Sequence, residues 1–427
     1  VLLTMTTSDL DDGDTAEGNT GDVEVIEPTP LPAPRDGIPA VLLQPGDFAD
    51  AAARLATGTG PIAVDTERAS GYKYSARAYL IQLRRTGSGS FLIDPIEHPE
   101  ALGPIIEALD GPEWILHAAD QDLPCLRELD FHCAALYDTE LAGRLLGLPR
   151  VNLAAMIAHF LGLGLAKGHG AADWSRRPLP ADWLNYAALD VEVLVELREA
   201  IADELAATGK SDWAAQEFDY VLHRPPSPPR TDRWRRTSNI HSIKTQRGLA
   251  TVRELWTARE DMAARRDIAP GRVLPDSAIV TAATADPKSM SELTGLPVFG
   301  GPRQKRQASV WWSAIERARA LPDDELPPKK TAQVGLPAVN RWEQRNPEAA
   351  ARAAVVRPAV KELAEAHNVP VENLLAPELV RQICWTGIPG DITADAVDAA
   401  LATGEARPWQ RELTAETIAS KLRESAR

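Results

Sequence analysis

In "AVDTE", Asp65 and Glu67 stand two residues apart at the end of an apolar run. Alternate side chains of an extended strand share a face, so these two carboxylates point the same way. Like charges side by side on a buried strand repel each other unless a cation lies between them. In "LHAADQDLPCL" (116–126), a strand is expected to end near His117, which reads as a packing residue. Asp120 is then expected to cap the following helix, with Asp122 in its first turn. Asp122 reads either as a carboxylate favoured by the helix dipole or as a third acid beside a metal. "LNYAALDVEVL" (184–194) puts Tyr186 and Asp190 four residues apart, within roughly 40° on one helix face. Leu189, Val193 and Leu197 lie near that direction, so the face is expected to be buried. An unpartnered aspartate there would cost several kcal/mol, which asks for a positive charge nearby.

The elements that must carry these groups are legible as patterns. "PIAVDTE" (61–67), "YLIQLRR" (79–85), "SFLIDP" (90–95) and "WILHAA" (114–119) read as strands, with the helix "PEALGPIIEALDG" before the last. Strands alternating with helices predict an α/β unit over 38–222. From Asp138 the pattern turns helical, through "DTELAGRLLG" and "NLAAMIAHFLG" to one long amphipathic stretch from about Pro180 to Ala207. "TGKS" (208–211) resembles a phosphate loop only in its letters: Glu204 stands where the first glycine would be, so a helix C-terminus is expected. A Pro/Arg-rich linker over 223–244 leads to short helices over 245–322. A second linker, 323–337, leads to another helical block, 338–427.

Charge is unevenly placed. The chain of 427 residues has a net charge of −15, yet residues 224–272 hold twelve Lys/Arg against five Asp/Glu, a net of +7. Residues 1–37 hold nine acids against Arg35 alone, a net of −8, and are expected to be a disordered acidic tail. That tail reads as a solubilising segment or as an electrostatic mimic of nucleic acid. Cys125, Cys133 and Cys384 form no CxxC and the eight histidines form no HExxH, so neither a disulfide framework nor a zinc site is expected. No apolar run nears the roughly 18 residues that span a bilayer. The N-terminus lacks the basic flank of a secretory signal, with Met5 a candidate start. Together these predict a cytoplasmic protein with no membrane partner; they leave the oligomeric state open, with a monomer favoured.

Asp65-x-Glu67, then Asp122 in "HAADQD", then Tyr186-x-x-x-Asp190, in this order, resemble the DEDD 3′–5′ exonucleases in their tyrosine-bearing branch. "VDTE", "YLIQL", "HAADQDL", "YDTELAGRLLG", "KGHGAADWSRRPL" and "YAALDVEVL" resemble the ribonuclease D family more closely, over about residues 40–210. The resemblance implies an RNase H-like α/β catalytic domain and two divalent ions, Mg²⁺ or Mn²⁺, about 4 Å apart. By position, Asp65 would bridge the ions, Glu67 and Asp190 would complete the oxygen shell of the first ion, and Asp122 would hold the second ion through water. Tyr186 would orient the attacking water, since a tyrosine with its ordinary pKa near 10 is a poor base. Lys167, Arg176 and Arg177 are candidate phosphate contacts, or else an exposed basic loop. Arg68 and Ala69 depart from the apolar residue the family often carries after the glutamate.

"LATVRELWTAREDMAARRDIAPGRVLPDSAI", Pro287 and "LTGLPVFGGP" resemble the HRDC domain, and 338–427 a second such all-α domain. That implies nucleic-acid binding through arginines meeting phosphates, or a packing role that shapes the substrate channel. The implied activity is 3′–5′ trimming of structured RNA 3′ ends, such as tRNA precursors, with release of nucleoside 5′-monophosphates. A Werner-type DNA exonuclease and a nuclease-inactive binding scaffold are the alternatives.

Overall fold

The computed structural model describes residues 27–165, 168–225, 228, 230–330 and 335–426. The first unit runs β1 (Thr29–Leu31), β2 (Val41–Leu42), α1 (Pro45–Thr57), β3 (Thr59–Glu67), β4 (Leu80–Thr86), β5 (Gly89–Ile93), α2 (Gly103–Leu109) and β6 (Glu113–Leu116). It continues with α3 (Leu123–Arg127), β7 (Ala135–Asp138), α4 (Thr139–Leu145), α5 (Leu153–Leu161), β8 (Leu163–Leu165), α6 (Ala181–Glu192), α7 (Leu194–Ala207) and α8 (Ser211–His223). Six strands form a mixed sheet in the order β2-β5-β4-β3-β6-β7, with β3–β4 and β4–β5 antiparallel and the other pairs parallel. The central strand β3 is covered on both faces, which is why "PIAV" reads as a continuous apolar run rather than an alternating one. Ile62 and Val64 lie in the main core. On the other side Leu80 and Leu92 share a smaller core with Ala187 and Ala188 of α6.

Three expectations change. The acidic segment is ordered from Glu27 onward: β1 pairs in parallel with β8, and Arg35 meets Glu196 at 2.6 Å. Residues 1–26, the rest of the expected tail, lie outside the described residues. The long helix expected from Pro180 to Ala207 breaks at Val193 into α6 and α7. The break lets α6 pack on β3, β4 and β5 while α7 packs on β3 and β6. At the break a fully buried Glu192 meets Arg84 at 3.1 Å. The linker expected over 223–244 is not merely a spacer: Trp234 is buried in the core of the middle helical unit.

That unit comprises α9 (Gln246–Arg266), α10 (Pro270–Val273), α11 (Asp276–Ala285), α12 (Met290–Gly295), α13 (Pro302–Lys305) and α14 (Ala308–Ala320). The last unit comprises α15 (Trp342–Arg345), α16 (Pro347–Ala366), α17 (Val371–Leu374), α18 (Pro377–Thr386), α19 (Ala394–Thr403) and α20 (Pro408–Ser425). In both units a long helix is followed by a one-turn helix and then by a helix of 10 residues. No helix among the described residues is long and apolar enough to cross a membrane.

The last unit shares its core with the α/β unit. Lys210 of "TGKS" is buried just past the C-terminus of α7. Its Nζ donates to the carbonyls of Leu145 at 2.7 Å and Asn368 at 3.1 Å, so it joins the two units. Glu217 of α8 receives Arg407 Nε at 2.6 Å, Arg407 Nη2 at 3.0 Å and Trp409 Nε1 at 2.9 Å, while Trp409 stacks on Trp213. Removing one partner of such a buried pair leaves the other charge uncompensated. Glu217→Ala is therefore expected to cost about 3 kcal/mol and to loosen the last unit first. Chemical denaturation followed by tryptophan fluorescence checks this, and an unchanged midpoint would show that the pair does not hold the units together.

Candidate active site

β3 delivers Asp65 and Glu67 on one face of its last turn of pleat, and α6 brings Asp190 down onto them. One carboxylate oxygen from each of Asp65, Glu67 and Asp190 lies within 4.8 Å of the other two. Only small side chains separate helix from sheet here: Ala187 and Ala188 are fully buried against Leu80 and Leu92. A larger residue would lift Asp190 away.

Asp122 stands beside this triad but outside it. Thr66, on the opposite face of β3 from Asp65 and Glu67, donates its hydroxyl to Asp122 at 2.6 Å. Arg68, which follows the last residue of the strand, approaches Asp122 at 4.0 Å. The expected cap by Asp120 does not form. Residues 118–122 make a turn, and the helix begins at Leu123 with Asp122 itself at the N-cap position. The turn is held by Asp138, whose carboxylate accepts the N–H groups of Ala118 at 3.1 Å and Ala119 at 2.9 Å and also caps α4. Ala118 takes a φ of 63°, an unusual conformation that these bonds enforce. Asp120 points outward and meets Arg224 at 3.7 Å.

Burial and mutual repulsion push the acids up. Asp65 is well above the ordinary carboxylate range, through burial and then the charges of Asp122, Asp190 and Glu67. Glu67 is pushed up to about 9 by burial and by Asp190 and Asp122, eased by Arg68. Asp122 rises to about 6 by burial, held back by Thr66 and Arg68. Asp190 rises to about 7 by burial, held back by a hydrogen bond from Tyr186. The Tyr186 hydroxyl is pushed far above its usual value by burial and the neighbouring acids. An all-oxygen set that cannot ionise fully by itself fits a hard divalent cation.

The acids line a cleft of about 550 Å³ with His117, Gln121, Glu140, Arg144, Asn152 and Gly170 on its other walls. Burial lowers His117 to about 4, and its Nδ1 lies 2.9 Å from the Thr139 hydroxyl, so it is neutral. The "KGHG" glycine has a steric reason: a Cβ on Gly168 would fall 1.6 Å from the Tyr186 ring. Of the expected phosphate contacts, Lys167 lies outside the described residues and Arg176 is exposed. Arg177 is already committed, donating to Asp94 at 2.5 Å and to the carbonyls of Trp174 and Tyr79 at 2.7 Å. It anchors its loop, a use that an "RR" pair in a polar stretch does not reveal. Gln121, Glu140, Arg144 and Asn152 escaped the sequence reading; only the i,i+4 spacing of Glu140 and Arg144 hinted at a pair.

The loop that leaves Glu67 is gripped by the middle helical unit. Asp267, past the end of α9, accepts Ser75 N–H at 2.8 Å and lies within 3.9 Å of Lys73 and 3.8 Å of Arg77. Ala269 N–H donates to Tyr72 O at 2.9 Å, and Arg272 lies 4.0 Å over the Tyr72 ring.

Residues 41–206 match a 3′–5′ exonuclease family, 248–315 the HRDC domain, and 335–422 a 3′ to 5′ exonuclease C-terminal domain. A ribonuclease D from Gluconacetobacter diazotrophicus is 30% identical over 64% of this chain and 70% of its own length. A protein of known structure from Bifidobacterium adolescentis is 38% identical, covering 93% of this chain and 100% of that one, with a TM-score of 0.85. Escherichia coli RNase D, described as an exoribonuclease involved in structured RNA processing, is 25% identical over 90% of this chain and 98% of its own, with a TM-score of 0.63.

Each acid whose folded pKa lies above its unfolded value favours the fold while it holds its proton. In the metal-free chain this contribution is complete below about pH 4, the unfolded range, and is lost as pH rises through the folded values. For Asp122, Asp190 and Glu67 those values are about 6, 7 and 9. Melting temperatures with Mn²⁺ and with EDTA should therefore diverge as pH rises from about 5.5 to 9, the EDTA curve falling. A gap independent of pH would contradict this.

Proposed function

Because the chain belongs to the ribonuclease D family and is a 3′–5′ exoribonuclease, we propose that it trims the 3′ ends of structured RNA, such as tRNA precursors, with two divalent ions and releases nucleoside 5′-monophosphates. The single observation that carries this reading is the convergence of Asp65, Glu67 and Asp190 within 4.8 Å, with Asp122 beside them. Bound divalent ions supply a polarised attacking water and a counter-charge for the departing 3′ oxygen. Asp65, Glu67 and Asp190 would hold one ion, and Asp122 would serve the other. Tyr186 keeps its proton and donates it to Asp190, so its oxygen would orient the water as an acceptor and would not deprotonate it. Neutral His117 adds no charge to the cleft. Arg176 is the remaining described candidate for the phosphate backbone, since Arg177 is spent on its own loop.

The chain is tested with matched 3′-labelled RNA and DNA strands in Mg²⁺, Mn²⁺ or EDTA. Mononucleotide release from RNA with a metal, and none in EDTA, is expected. Asp190→Asn should lower the rate by on the order of 10³-fold or more, about 4 kcal/mol of transition-state stabilisation. Tyr186→Phe should lower it by on the order of 10²-fold while leaving metal affinity unchanged. Preferred digestion of DNA would move the substrate assignment, and an active Asp190→Asn chain would remove this site from the mechanism.

A further inference from the structure

The strand that supplies Asp65 and Glu67 to one face supplies Thr66 to the other, and Arg68 follows its last residue. Thr66 and Arg68 both meet Asp122, at 2.6 Å and 4.0 Å. The four acids are thereby divided. Three converge as a triad, and Asp122 is turned toward a hydroxyl and a guanidinium of the protein itself. The cleft is lined by two arginines, Arg68 and Arg144. Arg144 is bound at short range through two nitrogens to Glu140. Asp122 is the only carboxylate within salt-bridge distance of Arg68 among the described residues, and the Arg68 side chain is 28% exposed, so it has room to move.

From this division we infer that Arg68 is the chain's own counter-ion for Asp122, released to admit the second divalent ion only when a substrate phosphate offers the guanidinium another anion. The inference rests on the two-ion reading above. Two cations cannot sit against one carboxylate without repelling each other, so the guanidinium opposes an incoming ion at Asp122. A phosphate reverses the balance, because it binds a guanidinium through paired, charge-assisted hydrogen bonds. Arg68 is a positioning residue in this account: it sets the order in which metal and RNA assemble.

The test counts bound Mn²⁺ by electron paramagnetic resonance on the full chain, with and without adenosine 5′-monophosphate as the phosphate probe. The wild-type chain should bind one ion tightly without the nucleotide and a second when it is added. Arg68→Ala and Arg68→Gln should bind two ions without it, the second tightened by roughly tenfold, or about 1.4 kcal/mol. Arg68→Lys, which keeps the charge, should retain the wild-type pattern. Wild-type binding of two equal ions without nucleotide, or a second site unchanged in both neutral variants, would overturn the role of Arg68. An Asp65→Asn chain that still takes up the first ion would overturn the metal centre beneath it, and the two failures are thus distinguishable.

Discussion

Everything around this site depends on forcing mutually repelling carboxylates into one buried corner. Asp65, Glu67, Asp122 and Asp190 all resist ionisation because burial strips their water, and the charges of Asp122 and Asp190 raise Asp65 and Glu67 further. Once ionised, such an arrangement opposes folding and persists only because the scaffold over-determines it. β3 is held at Ile62 and Ala63 by β6 and along its whole final stretch to Glu67 by β4, so its end is pinned by β4. α6 lies close because its sheet-facing residues are alanines. The turn before α3 is fixed by Asp138 from a different strand. Such a set of acids suits a divalent cation, whose charge would offset their repulsion.

The helical units bear on the same corner by way of backbone. The middle unit holds the loop running from Glu67 to β4, through Asp267, Ala269 and Arg272. Arg68 opens that loop, so the position of a guanidinium beside Asp122 is tied to the docking of a domain remote in sequence. The last unit instead grips the end of α4, where Lys210 and Asn368 satisfy the carbonyls of Leu145 and Leu146. Open helix ends would otherwise leave these acceptors unpaired in a buried junction. Both units are thus structural parts of the nuclease.

Much of this was legible because periodicity reports burial. The strands around 61–67, 79–85 and 90–95 lie within a residue or two of β3, β4 and β5. The middle and last units show the helices expected of them. The two-residue strand β2 and the small β1–β8 sheet carry too few residues for a pattern, and they form because distant chain meets them. The break at Val193 is invisible to periodicity, since both α6 and α7 are amphipathic and only the two surfaces they cover differ.

By itself the sequence determined which side chains could bind a cation: spacing of two on a strand and four on a helix makes faces, and faces follow from local geometry alone. It also suggested, through proline, charge and composition, that the chain is divided into units. Only the tertiary structure decided how those groups are shared out. Asp120 and Asp122 are nearly equivalent in the letters, and the bonds from Asp138 to the turn choose between them. Arg177 and Arg68 are both arginines in polar stretches, yet Asp94 takes one and Asp122 the other. The reason is physical: the partner of a charge is set by its nearest neighbours in space, and those come from strands and helices far away along the chain.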